Sequence, residues 1–199
     1  MKRISLSYTI GAASTTGFAT SVTGASWAAT TASPTDGHYH VISITGLTAT
    51  NHSGKTAVVT GTDENGVAQT ETIAALPNGT ATVVGTKYWR TITTVVPSAT
   101  IGADTMSLGW GAAAVTGWYP VANYGVPGVF NMGFVVTPTA GSPNYTMQAT
   151  YDDSLAVDHA TVAAQTTTQE GAYTAPRSSV RLKFTVVGSV TLVMMLGHL

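Results

Sequence analysis

The run Lys55-Thr56-Ala57-Val58-Val59-Thr60-Gly61-Thr62, then Asp63-Glu64-Asn65-Gly66, then Val67-Ala68-Gln69-Thr70-Glu71-Thr72-Ile73-Ala74-Ala75 decides how this chain is read. Two β-rich runs flank Asn-Gly, a dipeptide that tolerates the positive φ of a tight hairpin turn. Ala68, Thr70 and Thr72 alternate with Val67, Gln69, Glu71 and Ile73, a period of two that belongs to a strand. The pattern spreads outward from there. Residues 39–45 precede it as a strand, Leu76-Pro77-Asn78-Gly79 follows as a second turn, and 80–84 and 88–96 continue the series. Pro97-Ser98 and Gly102-Ala103-Asp104 close it, with Met106-Ser107-Leu108 as a last short strand. Short strands with turns about every ten residues predict a small β-sandwich over residues 37–110.

Gly109-Trp110-Gly111-Ala112-Ala113-Ala114 is the expected linker to a second unit. Its strands are expected at 117–121, 129–137, 145–151, 180–187 and 189–196. Gly188-Ser189 fits a two-residue turn with Gly in the first position. The series predicts a second sandwich over 117–199. No window carries a clean helical repeat, and the alanine patches at 112–114 and 160–164 allow at most single helical turns. The fold class is therefore all-β: two tandem antiparallel β-sandwich units, Ig-like or jelly-roll-like. Residues 1–36 precede them as an N-terminal strand and extended arm. In the strand, Ile4, Leu6, Tyr8 and Ile10 alternate with polar residues. It must pair with a sheet edge in its own subunit or a neighbour. Residues 11–36 are nearly all Gly, Ala, Ser and Thr, with Phe18 and Trp27 to pin them to a surface. An arm and an irregular N-terminal region of the first unit both fit that composition.

Charged residues make up 9% of the chain, 8 basic and 9 acidic for a formal net charge of −1, where soluble domains average about 25%. That balance excludes a sequence-wide electrostatic partner, because nucleic-acid or anionic-membrane binding leaves a basic excess. The lack of cysteine excludes a disulfide scaffold, a thiolate metal site and a Cys nucleophile. Threonine is the commonest residue, so the polar surface consists of hydroxyls, amides and backbone. Such a surface suits a chain covered by neighbours in an assembly. Met1-Lys2-Arg3 imitates the start of a secretory signal, but Ser5, Ser7, Tyr8 and Thr9 interrupt the apolar run a signal needs. No apolar stretch approaches the ~20 residues of a membrane-spanning helix, and the chain is expected to be soluble.

Candidate chemistry is sparse. His38 and His40 stand two apart on a strand and share a face, but no third ligand lies nearby in sequence, and polar strand-face histidines are the expectation. Asp63-Glu64-Asn65-Gly66 lacks the spacing of a calcium loop and is expected to be a turn. Asp152-Asp153 with Asp158-His159 is the densest titratable cluster; two carboxylates and an imidazole suit acid–base work, yet adjacent aspartates on a strand face opposite ways. Catalytic, cofactor and metal residues are all expected to be absent. Trp110, Trp118, Tyr119 and Tyr124 cluster near the junction. They suit a core between the units, a protein interface or a sugar-stacking platform. The expected interface set is Ile4, Leu6, Tyr8, Ile10, Phe18, Trp27, Trp110, Trp118 and Tyr119.

Residues 55–66, Gln69-Thr70-Glu71-Thr72-Ile73 and Gly85-Thr86-Lys87-Tyr88-Trp89-Arg90-Thr91-Ile92-Thr93 together resemble a module common in tailed-bacteriophage structural proteins. Residues 145–153, Ala175-Pro176-Arg177-Ser178-Ser179-Val180-Arg181-Leu182 and Gly188-Ser189-Val190-Thr191-Leu192 are similar to small β-sandwich domains of phage virion proteins. The resemblance implies a non-enzymatic particle component, located in the virion and assembled in the host cytoplasm. A capsid decoration (cement) protein is the leading expectation. Its partners would be further copies of itself and other virion proteins such as the major capsid protein, with no direct nucleic acid or membrane contact. A tail, baseplate or fibre component and a carbohydrate- or receptor-binding module are the alternatives.

Overall fold

The period-two pattern becomes strands throughout the computed structural model, which describes residues 2–121, 131–152, 155–175 and 177–197. Among the described residues there are fourteen strands and no helix, so the chain is all-β. Tyr124, Val129 and Asp153, singled out above, lie outside the described residues. Two units form, one from Ala12–Ala114 and the other from Met1–Gly11 together with Val115–Leu199.

Unit 12–114 is a sandwich of two antiparallel sheets. One has the order β2 (Ser14–Val22), β9 (Met106–Val115), β4 (Tyr39–Gly46), β7 (Thr82–Trp89). The other has the order β3 (Trp27–Ala28), β8 (Thr91–Pro97), β5 (Ala57–Thr62), β6 (Ala68–Ile73). Inward side chains of both sheets, among them Phe18, Trp27, Ile42, Val59, Trp89 and Leu108, form one buried cluster. The β5–β6 hairpin stands where the sequence puts it, but its turn chemistry differs. Gly66 is left-handed (φ 80°), whereas Asn65 keeps negative φ. The Asp63 carboxylate accepts from the amides of Asn65 and Val67 at 2.9 and 2.8 Å, so Asp63 holds the turn and Gly66 alone supplies the reversal.

Glu71 is the buried charge of this unit. It sits on β6, and its carboxylate accepts from the Thr86 hydroxyl at 2.9 Å, the Lys87 amide at 3.2 Å and the Trp89 indole at 3.3 Å. The Thr86 amide donates to it as well. These bonds tie the edge of one sheet to the edge strand of the other. They also explain why β7 runs straight through Gly85, where the sequence suggests a break. A Cβ there would meet Glu71 Oε2 at 2.6 Å, so glycine makes room for the carboxylate.

The other unit is built on one long antiparallel pair, β11 (Asn131–Thr150) and β14 (Ser179–Gly197). On β14 the free edge takes β1 (Lys2–Thr9) and β10 (Tyr119–Pro120). On β11 it takes β12 (Val157–Asp158) and β13 (Gln169–Tyr173). Buried apolar residues on β14 keep one parity, as Val180, Leu182, Phe184, Val190, Leu192 and Met194. On β11 the parity switches, from Met132, Phe134 and Val136 to Tyr145, Met147 and Ala149. Register shifts between Pro138 and Tyr145 cause the switch. The extra residue restores the match, so Tyr145 faces Phe184 and Val136 faces Leu192.

Several sequence expectations are corrected. The stretch 109–114 is no linker but part of β9. Its glycines read as flexibility, yet a Cβ on Gly109 would lie 1.8 Å from the Ser14 carbonyl oxygen, so Gly109 permits close approach of β2. The division of the chain falls after Ala114 rather than across a gap from 110 to 117. Residues 1–36 are not a free arm. β1 pairs along its length with β14 of the same chain, Ile4 opposite Met194, Leu6 opposite Leu192 and Tyr8 opposite Val190. Residues 12–36 contribute β2 and β3 and bury Phe18 and Trp27 in the sandwich core. Gly188-Ser189 is no hairpin turn. It lies within β14 opposite Gly141, where Pro138 and Pro143 interrupt the β11 ladder that the sequence reads as a loop.

Deleting residues 1–33 is therefore expected to abolish cooperative unfolding of unit 12–114, because Phe18 and Trp27 leave the core. Urea denaturation followed by tryptophan fluorescence checks this, and Trp27→Ala alone is expected to remove about 3–5 kcal/mol.

Stability is also expected to fall above pH 10. Burial pushes the phenols of Tyr8 and Tyr145 up to about 12, from about 10 in the unfolded chain. The unfolded chain therefore releases these protons first. Their contribution is intact below pH 10 and lost as pH rises through 12. Melting temperature measured from pH 8 to 12 follows the loss.

Candidate functional site

A cleft of about 350 Å³ opens in the unit built on β11 and β14, lined by Ala149, Val157, Asp158, His159, Tyr173 and Arg177 among others. Register puts these residues together. β12 pairs with the Gln148–Ala149 end of β11 and carries Asp158, while β13 pairs Tyr173 with Met132. Phe134, His159 and Tyr173 form a ring cluster. His159 meets Phe134 edge-on at 5.1 Å and Tyr173 edge-on at 4.9 Å. Gly171 faces Phe134 across the strands, and a Cβ there would lie 2.6 Å from the Phe134 ring and 3.0 Å from His159 Cε1. The cluster thus requires glycine at 171.

Donors and acceptors are unevenly matched here. His159 Nε2 donates to the Ala172 carbonyl at 3.2 Å, which leaves Nδ1 to accept from the Thr161 amide and hydroxyl. Both ring nitrogens are engaged. Asp158 accepts from Gln148 Nε2 at 2.6 Å and pairs with Lys183 at 3.4 Å. Gln148 in turn accepts from Arg181 Nε at 2.8 Å, and the Arg181 guanidinium stacks on Trp118 at 4.3 Å. In contrast, the Tyr173 hydroxyl and the Arg177 Nε and Nη1 atoms are buried with no hydrogen-bond partner. The Arg177 guanidinium lies 4.2 Å from the Tyr151 ring centroid and 5.3 Å from that of Tyr173. Burial, and secondarily the Asp158 carboxylate, hold the Tyr173 phenol well above its ordinary range, so it remains a donor.

The residues expected at an interface divide. Phe18, Trp27 and Trp110 are buried in the core of unit 12–114, which corrects their reading as contact residues. Trp110 packs edge-on against Phe18 at 5.4 Å, and its indole donates to the Ala12 carbonyl. Ile10 is buried, while Ile4, Leu6 and Tyr8 are half-buried on β1. Trp118 is half-buried beneath Arg181, and Tyr119 is half-buried on β10. Trp118 and Tyr119 are thus only partly covered. His40 is fully buried, between the Gly111 carbonyl and the Asp36 carboxylate, and His38 lies before the strand, so the two do not share a strand face. Among the described residues, no three of His, Asp and Glu gather around a point that would hold a metal.

Asp152 accepts from the Leu155 amide and the Thr150 hydroxyl. Of the acidic cluster noted in the sequence, Asp158 and His159 reach the cleft. Tyr173 and Arg177 carried no sequence signal, since only the β11–β13 pairing and the approach to β14 bring them there.

A second surface feature lies on the outward face of the β3-β8-β5-β6 sheet. Cross-strand rows place Val58 beside Thr72 and Val96, Thr60 beside Thr70 and Thr94, and Thr62 beside Ala68 and Thr91. All nine are exposed or half-exposed and none is charged.

No protein-family model matches the chain, and no curated protein is significantly similar to it. Among solved structures, allantoicase from Saccharomyces cerevisiae is similar at 10% identity, over 79% of this chain and 73% of that one, with a TM-score of 0.23. A likeness at that level carries no conclusion about fold or activity.

Removing the Tyr173 hydroxyl is expected to stabilise the protein. A buried donor without a partner costs about 1–3 kcal/mol, and Tyr173→Phe takes it away while keeping the ring contacts. Urea denaturation should give a free energy of unfolding at least as high as that of the wild type.

Proposed function

We propose that the protein is a non-enzymatic structural component of a phage particle, a capsid decoration protein that adheres to neighbouring subunits. The observation that carries this reading is the uncharged Thr/Val face of the β3-β8-β5-β6 sheet. Solvated surfaces of small soluble domains are about 25–35% charged. Nine side chains in three cross-strand rows without one charge suit a face that is covered in the working state. Val58 and Val96 contribute apolar area at one end of it, 40% and 43% exposed. The Thr62 and Thr91 hydroxyls already bond each other at 2.7 Å, which lowers the cost of covering them. The low charge of the whole chain and the resemblance of residues 55–93 to phage structural modules support the same conclusion.

Adhesion follows from area. Covering the Thr methyls and Val side chains removes apolar surface from water, and repetition over many copies of a shell multiplies a modest pairwise energy. Sedimentation velocity over rising concentration tests the reading. The wild type is expected to self-associate, and Val58→Lys with Thr60→Lys is expected to weaken association at least about tenfold while leaving the melting temperature nearly unchanged. A wild type that stays monomeric at high concentration, or a double variant that associates equally well, overturns it.

A further inference from the structure

We propose that the outward face of the β13-β11-β14-β1 sheet docks a second copy of this chain. Register lays this face out in rows. Ala172, Gly133, Met195 and Arg3 stand side by side in one row. Glu170, Val135, Val193 and Ser5 form the next. The intervening residues Met132, Phe134, Leu192 and Met194 are buried on the other side of the sheet. An apolar depression of about 500 Å³ lies in these rows, lined by Gly133, Val135, Val193 and Met195 among others. Gly133 is the informative residue. Glycine inside a strand weakens it and marks the close approach of another group. At Gly61, Gly85, Gly109 and Gly171 that group belongs to this chain and comes within 3 Å of where a Cβ would stand. At Gly133 no described atom lies within 4 Å of that point. The fold leaves this space open to a group from outside.

Charge identifies the occupant. Glu170 lies at one edge of this face and Arg3 at the other, both exposed, with no charge between them in the two rows. Among the described residues neither forms an ion pair. A two-fold axis parallel to the strands, midway between β11 and β14, lays one such face on another with β13 over β1. Gly133 then faces the partner's Met195, and Val135 faces the partner's Val193. The flexible thioether of Met195, 37% exposed in the single chain, suits the space over the glycine. Glu170 comes within one row of the partner's Arg3, about 7 Å along a strand, which an arginine side chain spans. A two-fold axis across the strands would instead set β13 on β13, Glu170 beside the partner's Glu170, so charge selects the first arrangement. Its aligned sheets pack as those of a β-sandwich do. This contact uses the other unit and does not rest on the Thr/Val face.

Sedimentation equilibrium of the full chain tests this in a parent carrying Val58→Lys and Thr60→Lys, where the Thr/Val face no longer contributes. Dimers of the parent are expected at chain concentrations up to ~0.5 mM. Arg3→Glu or Glu170→Lys, each added alone, sets like charges together twice per dimer and is expected to weaken dimerisation at least about tenfold. Mixed in equal amounts, the two variants regain both opposite-charge pairs in the heterodimer. Association is then expected to return to within about threefold of the parent. Gly133→Leu fills the depression and is expected to weaken dimerisation about tenfold, with a melting temperature no lower than the parent's. Dimers of equal tightness in parent and wild type uphold the proposal and count against the Thr/Val face alone. A parent that stays monomeric overturns the proposal and leaves the Thr/Val face standing. A mixture that associates no better than either variant, or Gly133→Leu dimers as tight as the parent's, overturns it as well.

Discussion

The antiparallel pairing of β11 with β14 is the interaction on which the unit formed by residues 1–11 and 115–199 depends. The four other strands described there pair with one member of it or the other. A pair this long cannot remain regular with a buried face, because strand twist accumulates and demands relief. The relief is the irregular stretch from Pro138 to Tyr145, which lets side chains before and after it bury on the same side of the sheet despite opposite parity. The cleft is a consequence. β12 and β13 occupy opposite ends of the β11 edge, and the chain between and after them brings Asp158, His159, Tyr173 and Arg177 to one place.

Unit 12–114 solves a different problem. Its sheets are held by apolar burial, but their edges are joined by a carboxylate. Removing a charge from water is expensive unless hydrogen bonds replace the lost solvation. Glu71 receives them from two backbone amides, a hydroxyl and an indole. That arrangement needs Gly85 for space and Thr86 and Trp89 for side-chain donors, so one buried acid constrains three positions along β7. A charge that is this well satisfied selects one register of β7, since a slip of one residue would turn its partners away.

The scarcity of charge links the two units to function. With 9% charged residues the protein has few means of keeping exposed sheet faces apart from other proteins. On the proposed reading, the Thr/Val face is the part of the surface that an assembly covers. In the second unit, Asp158 and Arg177 line the cleft, Lys183 pairs with Asp158, and Arg181 connects to it through Gln148. An uncharged sheet face on one unit thus contrasts with a polar recess on the other.

Alternation alone determined that the chain is all-β. The β5–β6 hairpin, the apolar face of β1 and the lack of helix follow from periodicity, which is local and depends on neighbours two residues apart. What a strand pairs with is not local. The face of Ile4, Leu6, Tyr8 and Ile10 is the same whether β1 joins its own β14 or another subunit, and only the tertiary structure chose the former. Phe18 and Trp27 sit among small residues that resemble a tether, and they are core because β2 and β3 find partners far along the chain. The glycines of β9 and the prolines of β11 read as breaks because Gly and Pro mark loops on average. Here Gly109 admits a neighbouring backbone, and the prolines occupy a bulge where no ladder amide is required. The cleft escaped the sequence for the same reason. The residues with unpartnered donors, Tyr173 on β13 and Arg177 before β14, are far from Asp158 and His159 in sequence, and only pairing across β11 brings them together.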